Sequence, residues 1–146
     1  MISIIQRVIE SDVTVDGKVI GSIGQGIMAL VAVEKTDSEK QADRLLERIL
    51  NYRIFADANG KMNLSLRDID GGLLIVPQFT LAADTEKGNR PSFASAASPE
   101  QGRELFTYFQ QQAGKIYPST QFGRFGADMK VALINDGPVT FMLRVR

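Results

Sequence analysis

The chain opens with apolar residues that have the spacing of a β-strand. Residues 2–9 and 12–15 read as extended, and Val13 and Val15 alternate with polar neighbours, a period typical of a strand with one buried face. The Asp16-Gly17 pair that follows is a strong signal for a tight turn. The pattern therefore predicts that a β-hairpin opens the fold.

A glycine-rich stretch continues this hairpin. Between Val19 and Val33 lie Gly21, Gly24 and Gly26, which we interpret as bends or bulges. The apolar segment after Gly26 is short and β-branched at both ends, which predicts a buried strand. Because a strand rather than a helix follows, these glycines are not a dinucleotide-binding fingerprint.

The clearest helical periodicity comes next. Asp37 or Ser38 can cap a helix that runs to about Tyr52. Five apolar residues fall on one face of this helix: Ala42, Leu45, Leu46, Ile49 and Leu50. Tyr52 to Ala56 then has the composition of a strand, closed by the turn-forming segment Asp57 to Gly60.

A second block repeats this order of strand and helix. Gly71-Gly72 lead into the apolar strand Leu73 to Val76, and a loop carries Asp84 to Pro91. Ser98, with proline directly after it, is a typical N-cap with proline at the first helical position. It opens a second helix that ends near Ile116.

Two apolar segments complete the predicted architecture. Met129 to Ile134 and Val139 to Val145 read as strands on either side of Asn135-Asp136-Gly137-Pro138. Strands in two clusters, each followed by one helix, predict an α/β fold: a layered, mixed-sheet, barrel-like domain with two main helices. A length of 146 residues with 44% apolar composition suits one domain, so we expect residues 1–146 to form a single domain.

Two residue types that often carry catalysis are absent. The sequence contains neither cysteine nor histidine, which excludes disulfides, thiolate metal ligands and the triads built on these residues. The chemistry that remains uses carboxylates, lysine, tyrosine, hydroxyls, backbone N–H donors or a group of the substrate itself. We therefore expect a site without cofactor or metal.

Charge and the length of the apolar runs limit the partners. Seventeen basic and seventeen acidic residues give zero formal charge, which counts against binding of long stretches of phosphate backbone. Contact with only the last few nucleotides of an RNA needs few cationic residues and stays compatible with this charge. The apolar runs, such as Ile27 to Val33, are far shorter than the roughly 20 residues that span a bilayer. Residues 1–10 lack the pattern of a signal peptide. We expect a cytoplasmic protein that does not enter membranes.

Polar residues end the most apolar strand, in the segment Pro77-Gln78-Phe79-Thr80-Leu81. Taken alone, this segment is best interpreted as a strand end with Phe79 in the core and Thr80 bonded to a nearby turn. The functional alternative uses the backbone: free N–H groups of Phe79 and Thr80 could stabilise an oxyanion, worth about 2.7–4 kcal/mol for one good donor. Thr80 as a nucleophile would need a neighbouring base.

The segment Asn135 to Thr140 also has two interpretations. It is either an ordinary tight turn, or a site in which Gly137-Pro138 is a cis peptide that projects rigid carbonyls into a pocket. Asn89 to Phe93 and Gly123 to Met129 carry arginine and phenylalanine and could touch RNA. Core packing for their phenylalanines and a solvated surface for their arginines are the better single-residue interpretations.

Seven segments, in this order, resemble one known family over essentially the whole chain. They are Ile5 to Val8, Val33 to Lys35, Tyr52 to Phe55, Gly60 to Leu64, Gln78 to Ala82, Arg90 to Phe93 and Asn135 to Thr140. The chain resembles the D-aminoacyl-tRNA deacylases, hydrolases that remove wrongly attached D-amino acids from tRNA. The resemblance implies that the substrate is an aminoacyl-tRNA, cleaved at the ester on its 3′-terminal adenosine.

The resemblance also implies a homodimer with both active sites at the interface. The Gly137-Pro138 carbonyls of one subunit would enter the other subunit's pocket and leave no room for an L side chain, so that D-amino acids and glycine are accepted. By the same resemblance, Arg7 steadies the Gly137-Pro138 loop and Gln78 to Thr80 surround the scissile ester. Met129 would line the same pocket.

The resemblance also implies that the RNA takes part in catalysis, because the 2′-hydroxyl of the terminal adenosine would help to activate the attacking water. Thr80 would then be a residue of the pocket and not the nucleophile. One position departs from the family, whose motif usually begins with serine where this chain has Pro77, which cannot donate a backbone N–H. Two alternatives stay open: a non-catalytic module that binds the aminoacylated 3′ end of tRNA, and a purely structural dimer. The convergence of polar residues on one pocket disfavours the second.

Overall fold

Residues 1–146 form eight strands, two helices and one 3-10 turn in the computed structural model of the chain. The strands are β1 (Ile2–Val15), β2 (Lys18–Ile23), β3 (Gly26–Ala32), β4 (Phe55–Ala56), β5 (Met62–Leu64), β6 (Gly72–Pro77), β7 (Gln121–Phe122) and β8 (Lys130–Arg144). The helices are α1 (Glu39–Asn51) and α2 (Pro99–Ile116), and the 3-10 turn is Phe79–Ala82. Neither helix has the length and apolar character needed to cross a membrane.

The strand β1 organises the main sheet. It pairs antiparallel with β2, β3 and β8, and the sheet continues from β3 through β6 to β7 by parallel pairing. The predicted opening hairpin is confirmed. Its turn residues Asp16 and Gly17 have φ values of 49° and 76°, as a two-residue turn that follows the twist of the strands requires.

The sheet curls until its edges approach each other. A Cβ atom placed on Gly21 of β2 would lie 3.2 Å from the carbonyl oxygen of Phe122 in β7. The inner side of the curl encloses a small apolar core, which consists of Val8, Val13, Val15, Met28, Leu74 and Val76. The outer side carries both helices over a core of 22 buried residues. The predicted layered, barrel-like α/β architecture is therefore confirmed.

Both helices begin where the capping signals predict. Before α1, the side-chain oxygen of Gln41 accepts the backbone N–H of Ser38 at 2.9 Å. Before α2, the hydroxyl of Ser98 accepts the N–H of Gln101 at 3.2 Å. The five residues predicted for the apolar face of α1 are all buried. These elements agree with the sequence because caps and helical periodicity are local properties.

The end of the chain differs from its prediction. The sequence predicts two strands separated by a turn, but both halves belong to β8 and pair with the same neighbour, β1. Gln6 pairs with Thr140 and Val8 with Asn135, so residues 136–139 bulge out of the ladder. The chain keeps its direction across this bulge because the long β1 is the partner of both halves.

The strand predicted from Tyr52 to Ala56 is shorter than expected. Only its last two residues pair with β5. The N–H of Ile54 bonds to the carbonyl of Tyr52 at 3.2 Å, and the carbonyl of Ile54 accepts the Arg7 guanidinium at 2.8 Å. These backbone groups are therefore already engaged and do not extend the ladder.

A charged cluster joins β1, β8 and the segment between β3 and α1. The amino group of Met1 lies 2.6 Å from an oxygen of Asp37 and 3.4 Å from one of Glu34. The second oxygen of Glu34 accepts the guanidinium of Arg144. The buried amino group is thus compensated on two sides, which a buried charge requires.

Candidate functional site

The end of β6 leaves two backbone N–H groups free. The N–H of Gln78 still donates to the carbonyl of Val31 in β3 at 2.8 Å. In the 3-10 turn that follows, Leu81 is the first residue whose N–H finds an acceptor, the carbonyl of Gln78 at 3.3 Å. The N–H groups of Phe79 and Thr80 donate to no group of the chain, because the first residues of a helical turn have no acceptor within it.

The side chains of Phe79 and Thr80 face outward. Phe79 is 61% exposed and packs against Phe93, with ring centroids 5.4 Å apart, so the interpretation of Phe79 as a core residue is wrong. The hydroxyl of Thr80 accepts the side-chain amide of Gln78. An amide that donates is not a base, and Thr80 therefore has no partner that would make it a nucleophile.

A cavity of about 270 Å³ lies beside this strand end. The ends of β3 and β6, the first turns of α2 and the segment around Phe125 form its walls. Its lining includes Gln78 and the rings of Phe79, Phe106 and Phe125. Aromatic walls with a few polar groups suit a small ligand that contains a flat ring.

The cavity contains one charged side chain. The guanidinium of Arg103 lies over the ring of Phe125, 4.9 Å from its centroid, and no carboxylate lines the cavity. The acids with altered pKa lie elsewhere; a side-chain hydrogen bond from Asn63, for example, lowers the pKa of Asp57. The site thus offers N–H donors, aromatic surface and one cation.

A second group of predicted site residues lies at the bulge of β8. The Nε of Arg7 donates to the carbonyl of Asp136 at 3.1 Å. On the other side, the side-chain oxygen of Asn135 accepts the N–H of Val139 at 3.1 Å. The Gly137-Pro138 peptide bond between these anchors is cis, and both residues are exposed. The segment is therefore a bulge fixed at both ends and not a hairpin turn.

The two groups do not meet within one chain. Neither Arg7 nor Gly137-Pro138 is among the residues that line the cavity. The hydrogen bonds of Arg7 go to residues 54 and 136, and none of them reaches Gln78 to Thr80. One chain therefore presents a cavity with N–H donors and, separately, an exposed bulge.

Pro77 occupies the last position of β6, opposite Val31. The backbone N–H of Gln78 points toward β3, and the backbone nitrogens of successive strand residues point to opposite sides. The nitrogen of Pro77 therefore points toward the side of β7, which has already ended at this level. A Cβ atom on Gly123 would lie 3.3 Å from the Cδ of Pro77 and 2.8 Å from the sulfur of Met129. Proline therefore interrupts no ladder, and Met129 packs beside the strand end, although it does not line the cavity.

The walls of the cavity are mostly absent from the sequence-based predictions. Phe125 is expected in the core from its sequence, whereas it is half-buried and lines the cavity. Gly102 carries the signal that could have revealed this wall, because glycine inside a helix costs about 1 kcal/mol relative to alanine. A Cβ atom at Gly102 would lie 3.3 Å from the ring of Phe125, so the glycine leaves room for that ring.

The fold and site together define a mixed α/β protein that can hold a ring-bearing ligand beside a strand end with free N–H donors. Residues 4–144 match the family model described as D-Tyr-tRNA(Tyr) deacylase. The chain therefore belongs to the D-Tyr-tRNA(Tyr) deacylase family.

Similar proteins agree with this family. A protein of Pseudomonas putida KT2440 named D-aminoacyl-tRNA deacylase is 59% identical over 145 residues, which are 99% of this chain and 100% of the relative. One of the same name from Cupriavidus pinatubonensis is 57% identical over 150 residues, 99% of this chain and 96% of the relative. A solved structure titled c-Myc DNA Unwinding Element Binding Protein has a TM-score of 0.95 at 38% identity, covering 100% of this chain and 99% of its own. A second, titled as a probable eukaryotic D-amino acid tRNA deacylase, shares the fold with a TM-score of 0.83 at 17% identity, covering 97% of both chains.

Proposed function

We propose that this protein is an editing hydrolase that cleaves the ester of D-aminoacyl-tRNA and also accepts glycyl-tRNA. The observation that carries the proposal is the pair of free N–H groups beside an aromatic cavity, in a chain aligned over 99% of its length with relatives named D-aminoacyl-tRNA deacylase. Aminoacyl-tRNA is found where translation occurs, so the proposal includes a cytoplasmic location.

The cavity is the proposed site of the 3′-terminal adenosine. Its aromatic lining, which includes Phe106 and Phe125, suits stacking against a purine. The free N–H groups of Phe79 and Thr80 lie on the strand end that borders this cavity. A nucleoside bound there would bring the ester on its 3′-oxygen close to these donors.

Hydrolysis in this site begins with attack of water on the ester carbonyl carbon. The carbonyl oxygen becomes negatively charged, and the N–H groups of Phe79 and Thr80 stabilise it. The bond to the 3′-oxygen then breaks, and that oxygen takes the proton that the water has lost. The neighbouring 2′-hydroxyl assists the proton transfer; the lack of histidine in the chain and of a carboxylate in the cavity supports this role.

Chirality is set in a proposed homodimer. The separation of the Gly137-Pro138 bulge from the cavity within one chain supports a site completed by the bulge of a second copy. The exposed apolar residues Ile134, Phe141 and Met142 on β8 provide surface for such a contact. The inserted carbonyls would exclude L side chains, whereas D side chains would point outward.

Parallel single-turnover assays of D-Tyr-tRNA and L-Tyr-tRNA test the activity in a buffer that contains a chelator. We expect rapid loss of the D ester alone. An absence of turnover with tRNA still bound would instead support a non-catalytic module that binds the aminoacylated 3′ end of tRNA.

Subunit complementation tests the shared site. Thr80→Pro removes one N–H donor, and Gly137→Ala places a side chain at φ +127°, 2.8 Å from a methyl group of Val139. We expect each variant alone to lose most of its activity. A heterodimer of the two variants should recover about half of the wild-type activity, because one of its two sites then carries both defects. Inactive heterodimers would contradict the cross-subunit site.

A further inference from the structure

A second, more open groove of about 510 Å³ adjoins the cavity. The two share Arg103, Phe106 and Phe125, so they adjoin at α2 and the segment around Phe125. The groove is predominantly polar, and Gln110 and Gln121 are among the residues that line it. Apart from the shared Phe106 and Phe125, the residues of this groove have no role in the activity proposed above.

The charge of the groove is positive and uncompensated. Arg103 and Arg124 both line it and are exposed. Neither arginine takes part in an ion pair, and no carboxylate lines the groove. In a chain with zero net charge, two unpaired guanidinium groups in one concave surface form a local site for an anion.

An adenosine bound in the cavity would bring its 5′-phosphate, an anion, toward this groove. A terminal adenosine carries its ester on the ribose 3′-oxygen and continues into the RNA only through its 5′-phosphate. If the 3′-oxygen of this adenosine faces the N–H groups of Phe79 and Thr80, its 5′-phosphate and the preceding nucleotides must leave the cavity on another side. The groove adjoins the cavity at Arg103, whose guanidinium lies over the ring of Phe125, and it is the neighbouring surface that can receive the 5′ side.

We propose that this groove binds the phosphodiester between the terminal adenosine and the nucleotide before it. Arg124 pairs with the phosphate, assisted by Arg103 at the boundary with the cavity. The amides of Gln110 and Gln121 contact the sugar or base of the preceding nucleotide, as such side chains commonly do in RNA sites. This inference rests on the proposed function, because it assumes an adenosine in the cavity.

Affinities of the trinucleotide CpCpA and of adenosine, measured by titration calorimetry on the full chain, test the groove. We expect wild-type protein to bind CpCpA more tightly than adenosine. Arg124→Ala should weaken CpCpA binding roughly tenfold, reduce the salt dependence of CpCpA binding by about one phosphate contact, and leave the affinity for adenosine unchanged. Lys115→Ala is the matched control, since this exposed lysine lies on α2 outside the groove.

The outcomes separate this inference from the proposed function. Equal weakening by Arg124→Ala and Lys115→Ala would indicate only a general effect of charge and would overturn the groove. Equal affinities of wild-type protein for CpCpA and adenosine, or no binding of either, would overturn it as well. A wild-type protein that binds CpCpA through Arg124 but hydrolyses no D-aminoacyl-tRNA would support the groove and contradict the hydrolase.

Discussion

The hydroxyl and the backbone N–H of Thr80 have different environments. The hydroxyl is exposed and accepts a hydrogen bond from the side chain of Gln78. The N–H has no acceptor in the chain and lies on the strand end beside the cavity. The contribution of the Thr80 N–H to catalysis can therefore be tested separately from that of the Thr80 hydroxyl.

Two substitutions at Thr80 exploit this separation. Thr80→Ala removes the hydroxyl and keeps the N–H, and we expect the single-turnover rate on D-Tyr-tRNA to stay within about fivefold of wild type. Thr80→Pro removes the N–H, and we expect a loss of about 10²–10³, as for one oxyanion donor. Circular dichroism of both variants controls for folding. Complete inactivity of Thr80→Ala would restore the nucleophile interpretation.

At the scale of the elements, α2 carries two glycines in different surroundings. Gly102 faces the ring of Phe125, whereas a Cβ atom on Gly114 would meet nothing within 4 Å. Both glycines lie inside the same helix, where each costs about 1 kcal/mol relative to alanine. Substitution by alanine therefore affects only the helix at Gly114, whereas at Gly102 it also changes the wall of the cavity.

We predict that Gly114→Ala raises the free energy of unfolding by about 0.5–1 kcal/mol and leaves KM for D-Tyr-tRNA unchanged. Gly102→Ala should gain less stability, because its methyl group presses on Phe125, and should raise KM severalfold by narrowing the cavity. Urea unfolding and steady-state kinetics of both variants measure these effects. If Gly102→Ala behaved like Gly114→Ala in both assays, Phe125 would not form a wall of the substrate site.

Elements fixed by local interactions were predictable from the sequence. The caps at Ser38 and Ser98 and the hairpin turn at Asp16-Gly17 each depend on a few neighbouring residues. The continuity of β8 depends on its pairing with β1 more than a hundred residues away. Its bulge looks like a turn in the sequence, because the same residue types favour both.

The candidate site also has parts that the sequence predicts and parts that it does not. The segments at Gln78 and at Gly137-Pro138 stand out because polar or conformationally special residues interrupt apolar strands. The opposite wall does not stand out, because Arg103 and Phe125 come from separate parts of the chain and each has an ordinary explanation alone. Only the packing of the segment around Phe125 against α2 brings them together.

At the scale of the whole molecule, the charged cluster at Glu34 connects stability to pH. Burial disfavours ionisation of Glu34, but the hydrogen bond from Arg144 and the amino group of Met1 outweigh it and lower the pKa. A backbone hydrogen bond from Ser65 likewise lowers the pKa of Asp68. Carboxyls with a lowered pKa in the folded state contribute stability above their unfolded pKa, and this contribution disappears as the pH falls through the folded value.

We predict that Glu34→Gln lowers the Tm at pH 7 by about 2–4 °C, the shift that a loss of about 1 kcal/mol produces in a chain of this length. The difference from wild type should shrink as the pH falls below the ordinary pKa of glutamate and through the lowered pKa of Glu34 in the folded state, because the wild-type carboxyl then also becomes protonated. Thermal unfolding at several pH values measures this. Glu47→Gln is the control, since its ion pair with Arg44 is largely exposed and should contribute little. A Glu34→Gln deficit that persisted undiminished at low pH would contradict an ionic origin.

The pairing of β1 with β8 also has a consequence for the order of synthesis. A ribosome makes residues 2–15 before residues 130–144, so one edge of β1 lacks its partner until β8 emerges. An unpaired strand edge is a template for pairing with other chains, and contacts that span most of a chain form slowly. The edge of β1 that β8 covers therefore stays open throughout the synthesis of residues 16–129, and shielding it during that interval protects the nascent chain from pairing with other chains.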